Sequence, residues 1–218
     1  MKVAAQPFEF VTATYLTRIG NQKAQNLFEL RQGLETCSDA SIFYHTFQSL
    51  GRYHYLTQGF SSDFAQWVLA ACNRPSLAEE LAALDIRDYI AVADLRRDLD
   101  KIVGTYCSAR PEDAQQASFE PFYFCEAIGV TAPLGLEAWN LEEFRRCIEM
   151  LSHASFHFHF ISSRLRLQLR TNDFSLWLAD NLGLESLAKQ LNRIDIYTNT
   201  VETAKARIVA LVDKELAA

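Results

Sequence analysis

Apolar residues recur at helical spacing along most of the chain. Leu27, Leu30, Leu34 and Cys37 fall on one face, and so do Leu141, Phe144, Ile148 and Leu151. Phe64, Trp67, Val68 and Ala71 follow Asp63, while Phe174, Trp177 and Leu178 follow Asp173. An aspartate in front of an apolar stripe predicts a helix N-cap. Leu77, Leu81 and Leu84 predict a short helix starting near Ser76. Leu95, Leu99, Ile102 and Val103 predict another, and Ala204, Ile208, Leu211 and Val212 a third. Two segments fit less well. Phe8-Glu9-Phe10-Val11-Thr12-Ala13-Thr14-Tyr15 is rich in β-formers and suits an extended chain. Phe156-His157-Phe158-His159-Phe160 alternates with period two, yet its counterpart from Ile42 to Leu50 reads as helix. Matching segments should share a structure, so both are read as helical and the expected fold class is mainly α.

The pattern repeats. Between Phe8–Arg52 and Phe122–Arg166, at an offset of 114, sixteen of forty-five positions are identical. After a deletion of about four residues the match resumes, pairing Asp63-Phe64-Ala65-Gln66-Trp67 with Asp173-Phe174-Ser175-Leu176-Trp177. The expectation is two homologous helical halves related by internal duplication: residues 1–107, a linker at 108–117, and residues 118–218. Two such halves would pack about a pseudo-two-fold axis, as subunits of a homodimer do.

Within the repeat, Ser38, Ser41, His45, Ser49 and Arg52 are spaced three, four, four and three apart, which keeps them on one helical face. Ser152, Ser155, His159, Ser163 and Arg166 recur in the same register. Two readings stay open. His45, Ser49 and Arg52 with His159, Ser163 and Arg166 offer imidazole, hydroxyl and guanidinium donors to a carboxylate or phosphate in a polar cleft. Alternatively the serines allow close helix packing, Ser38 and Ser152 are N-caps, and the histidines are satisfied core groups. Phe64, Trp67, Phe174 and Trp177 read as core anchors. His153, His157 and His159 have ligand-like spacing, but the first half has Asp39 and Phe43 at the matching positions and no H-E-x-x-H motif occurs, so no metal and no cofactor is assigned.

Composition narrows the classes. Hydrophobic residues make up 49% of 218 positions, which excludes disorder, and a formal charge of -6 argues against a general nucleic-acid binder. No apolar run approaches the length of a membrane span, and the first residues lack a signal-peptide core. The five cysteines are odd in number and contain no C-x-x-C pair, which reads as reduced thiols in a cytoplasmic protein.

As a set, the opening Phe8-Glu9-Phe10, Asn26-Leu27-Phe28-Glu29-Leu30, Ser41-Ile42-Phe43-Tyr44-His45, Asn172-Asp173-Phe174-Ser175-Leu176-Trp177 and the L-A-x-x-L of Leu187 to Leu191 resemble an uncharacterised bacterial family of unknown function. The resemblance covers nearly the whole chain, in two tandem copies. It implies no established activity, cofactor or catalytic residue. The functional expectation is a soluble, non-catalytic binding or interaction module with an anion-binding cleft at the repeat interface. Its partner would be a small anion or a protein, and homo-oligomerisation stays open. The alternative is an enzyme acting on a small anionic substrate such as a sugar phosphate, with histidine as acid/base and arginine as anion clamp.

Overall fold

The computed structural model describes residues 2–49, 60 and 62–217. The chain opens with strand β1 (Phe8–Ala24), helix α1 (Leu27–Thr36) and helix α2 (Asp39–Phe43), which runs into a π-helical segment (Tyr44–Gln48). Helices α3 (Asp63–Ala70), α4 (Pro75–Ala82), α5 (Val92–Ala109) and α6 (Pro111–Gln115) follow, with a 3-10 turn (Ile86–Asp88) between α4 and α5. Strand β2 (Phe122–Ala138) leads to α7 (Leu141–Met150) and to α8 (His153–Phe156), which continues into a second π-helical segment (His157–Ser162) and α9 (Ser163–Leu167). The remaining helices are α10 (Asp173–Leu182), α11 (Glu185–Asn192) and α12 (Val201–Leu216).

β1 and β2, each 17 residues long, pair as a two-stranded antiparallel sheet, so the fold is α+β. This corrects the expectation of a mainly α protein. Phe8–Tyr15, whose β-formers suit an extended chain, is the first half of β1. The rest escapes the hydrophobic pattern because the strands are buried only in part, at Phe8, Phe10, Ala13 and Ala24 in β1 and at Phe122, Phe124 and Ala138 in β2. Most positions between face solvent, and a run exposed on both faces carries no period of two. Pro133 lies inside β2, which a two-stranded sheet tolerates because both strands are edges.

Nor is the fold a pair of tandem helical halves packed about a pseudo-two-fold axis. One compact unit comprises Met1–Thr14 with Gly129–Ala218, and the other Tyr15–Ile128. The opening Phe-x-Phe therefore belongs to the unit built from the end of the chain. There Phe8 and Phe10 lie 6.0 and 6.2 Å from the Phe144 ring, and Phe8 lies 5.8 Å from Trp177. α10 packs on α11 and α7 on α12 around these rings. In the 15–128 unit, Phe122 of β2 stacks on Phe64 at 5.1 Å and meets Trp67 edge-on at 5.7 Å. α1 packs on α5 and α3 on α4. Each buried indole also fixes the chain two residues before its Phe-x-Phe: Trp67 Nε1 donates to the Glu120 carbonyl and Trp177 Nε1 to the Gln6 carbonyl.

Local signals set the strand-to-helix turns. Asn26 accepts Glu29 N–H at the start of α1, and Glu29 reaches back to accept Gln25 N–H. Asn140, Glu143 and Trp139 repeat this reciprocal cap at α7. The Trp139 N–H, with the Asn140 amide, holds the Glu143 carboxyl below the usual carboxylate range.

Gly33 lies in the interior of α1, where a glycine costs helix stability, and the reason is a close approach. A Cβ there would stand 2.0 Å from Phe124 Cζ. Gly33→Ala is expected to destabilise the protein by about 1–3 kcal/mol through overpacking, read from urea denaturation. Phe10→Ala should cost about 3–5 kcal/mol. Amide exchange should place that loss in residues 129–218, although the substitution lies near the N-terminus.

Candidate functional site

The two expected histidines are buried, with His45 4% and His159 3% exposed. Each sits in a π-helical segment, a geometry in which the backbone bonds run from i to i+5. His159 Nδ1 lies 2.7 Å from Asp173 Oδ2, and His159 Nε2 accepts the Val11 N–H at 2.8 Å. His45 makes the same pair of bonds, to Asp63 Oδ2 at 2.8 Å and from the Cys125 N–H at 2.9 Å. A main-chain N–H can only donate, so Nε2 is the acceptor and Nδ1 carries the proton given to the carboxylate. Each imidazole thus ties a strand amide, one residue beyond a Phe-x-Phe, to the first residue of a helix.

That role for the aspartates differs from the expected one. Asn172, not Asp173, caps α10 by accepting the Ser175 N–H, and Ser62 holds the N-cap position of α3. Asp63 and Asp173 stand one residue inside, with their carboxylates turned to the histidines. The recurrence of a histidine followed by an aspartate in both stretches, 18 residues apart in one and 14 in the other, was the available signal, and an aspartate before an apolar run hid it.

The serines divide as well. Ser38 and Ser152 are N-caps of α2 and α8. Ser155 Oγ donates to the Val11 carbonyl, so Val11 has both main-chain groups held by side chains of one helical run. Ser49 is buried and donates to the carbonyls of its own helix, at His45 and Thr46. Ser163 is buried too, and its hydroxyl has no hydrogen-bond partner among the described residues. Neither Ser49 nor Ser163 lines the clefts beside His45 and His159. The π-helical turns explain this, because steps of three and four hold to one face only while the helix is α. Arg52 lies outside the described residues.

Arg166 does reach a cleft. Its guanidinium donates to Asp173 Oδ2, lies 4.8 Å from the centre of the Phe158 ring, and keeps 46% of the side chain exposed. The cleft, about 430 Å³ in volume, is lined by Phe8, Glu9, His159, Arg166, Trp177 and Asp180 among others. In the 15–128 unit a wider cleft of about 680 Å³ is lined by Tyr44, His45, Asp63, Trp67, Phe119 and Glu120 among others. Each cleft is built from residues of a single unit.

The histidines of α8 and its continuation do not converge. His153 Nε2 meets Glu202 Oε1 at 2.8 Å, while His159 spends both nitrogens as described. Among the described residues no group of three or more His, Cys, Asp or Glu side chains is placed to hold a metal ion. Burial pushes the thiols of Cys37, Cys107 and Cys147 upward, and that of Cys72 up to about 12, the wrong direction for a nucleophile.

The fold and site together define an α+β protein in which buried histidine–aspartate pairs latch strands to helices beside open clefts. The chain belongs to the family described as a family of unknown function (DUF5752), whose model matches residues 5–213 as one continuous stretch, not as two tandem copies. It is similar to OrfY from Thermoproteus tenax, whose solved structure matches with a TM-score of 0.85 and 30% sequence identity over 100% of this chain and 99% of that one. No curated protein matches the chain. Among the described residues no helix is long and apolar enough to cross a membrane.

His159→Ala leaves the Val11 N–H without its acceptor and removes one of the two donors to Asp173 Oδ2, and is expected to cost about 3 kcal/mol in chemical denaturation. Ser163→Ala removes a hydroxyl that makes no bond and should change stability by less than about 1 kcal/mol. An equal loss in both variants would contradict the assignment.

Proposed function

We propose that the protein is a non-catalytic binding module whose clefts take a small polar ligand. The carrying observation is that both imidazoles are engaged at both nitrogens. A general base needs one ring nitrogen within reach of the substrate, and His45 and His159 spend theirs on a carboxylate and a strand amide. The acid/base role that an enzyme acting on a sugar phosphate would require therefore has no support from these residues. Both cleft volumes lie in the range of small-molecule sites.

Arg166 favours an anionic group on the ligand. The guanidinium keeps N–H donors beyond the one given to Asp173, and the Phe158 ring sets its plane. Glu9 and Asp180 line the same cleft and oppose a multiply charged phosphate. A singly charged carboxylate that also carries hydroxyl or ammonium donors satisfies all three. Among the described residues the cysteines form no disulfide, which suits a reducing, cytoplasmic setting.

Thermal denaturation against hydroxycarboxylates, aminocarboxylates and sugar phosphates tests this reading. A carboxylate present at 100 times its dissociation constant is expected to add about 2.7 kcal/mol to stability. Arg166→Ala should abolish that gain. Turnover of a bound ligand, followed by NMR, would overturn the non-catalytic assignment.

A further inference from the structure

We infer that His159 is a proton-operated latch on the strand that forms part of the cleft wall in the 129–218 unit. The inference concerns the latch and does not depend on which ligand the cleft takes. The two ring nitrogens have opposite roles: Nδ1–H donates to Asp173, and Nε2 accepts the Val11 N–H. A proton added at Nε2 turns that acceptor into a donor, so two N–H groups face each other where a hydrogen bond had been. The strand must then shift at Val11 or be held by what remains: its pairing with β2, the Ser155 hydroxyl on the Val11 carbonyl and the Trp177 indole on the Gln6 carbonyl. Phe8, Glu9 and Val11 all line the 430 Å³ cleft, so the segment released is cleft wall.

The charges around the ring set how it responds. Asp173 of α10 contacts the ring directly and pairs with an imidazolium as well as with an imidazole. Arg166 of α9 donates to the same carboxylate oxygen and opposes a second positive charge there. Glu9 of β1 and Asp180 of α10 line the cleft and favour that charge. From β2 the cleft receives only the uncharged Thr131, and from α7 the same aromatic core receives Phe144. On the helical run itself, His157 and Arg164 are the other buried titratable groups.

Amide exchange at Val11 tests the latch in the full-length protein, with each rate corrected for the intrinsic effect of pH. The comparison is His159→Gln, whose side-chain carbonyl can accept the Val11 N–H and does not titrate. Protection of Val11 in the wild type should fall about tenfold per pH unit as the imidazole takes up its proton, the slope of a one-proton linkage. Amides of α12 should keep their protection, and the glutamine variant should show no such slope. Equal slopes in the two proteins would overturn the inference. Should the variant fail to fold, nitrogen-15 spectra of the wild-type imidazole decide. Loss of Val11 protection together with protonation at Nε2 supports the latch, and loss while Nε2 still lacks a proton overturns it.

Discussion

The structure turns on one hydrogen bond made twice, from a strand amide to a buried imidazole nitrogen. A two-stranded sheet leaves one side of each strand without a β-partner, and where that side enters a helical core its polar groups need other partners. His159 and Ser155 supply them to Val11, and His45 supplies one to Cys125. Without such a bond, the half-buried strand amide next to Phe10 would carry a desolvation cost. The aspartates complete the arrangement. By accepting the Nδ1–H hydrogen bond they fix the tautomer in which Nε2 can accept.

From this constraint follows the division of labour in each unit. The aromatic rings bury area and bring helices and strand together, while the histidine sets the register in which the strand lies. Phe-x-Phe alone would tolerate sliding along an apolar wall, because apolar contact is not directional. One directional bond at the next residue, with the tryptophan bond two residues before the first phenylalanine, removes that freedom. The clefts lie beside these latches, and their walls inherit the same rigidity. Arg166 shows how a cleft group is coupled to the latch, since Asp173 Oδ2 accepts from both Arg166 and His159.

The helices were legible because each buries one face, and a single buried face imprints the 3.6-residue period on the sequence. Leu27, Leu30 and Leu34 do so in α1, and Leu95, Leu99 and Val103 in α5. The first half of β1, Phe8–Tyr15, was legible from its β-formers, but the rest of the sheet was not, since most of its middle is exposed. Of the expected site residues, His45, His159 and Arg166 are placed beside clefts, whereas Ser49 and Ser163 turn inward along the π-helical runs. Asp63 and Asp173 were visible but misassigned, because an aspartate at the head of a helix looks the same whether it caps the backbone or turns to a neighbouring element.

The sequence by itself determined the helical segments, the recurrence of histidine, aspartate and tryptophan in the same order, and the aromatic character of the core. Those are properties of local pattern, and burial of one face writes them along the chain. Only the tertiary structure decided that Phe8 and Phe10 serve helices more than a hundred residues away, that the two long strands pair, and that the imidazoles face amides instead of solvent. Such pairings join residues distant in the chain. No local periodicity records which strand edge a helix covers, because main-chain amides are the same at every position, and the choice among them is made by packing.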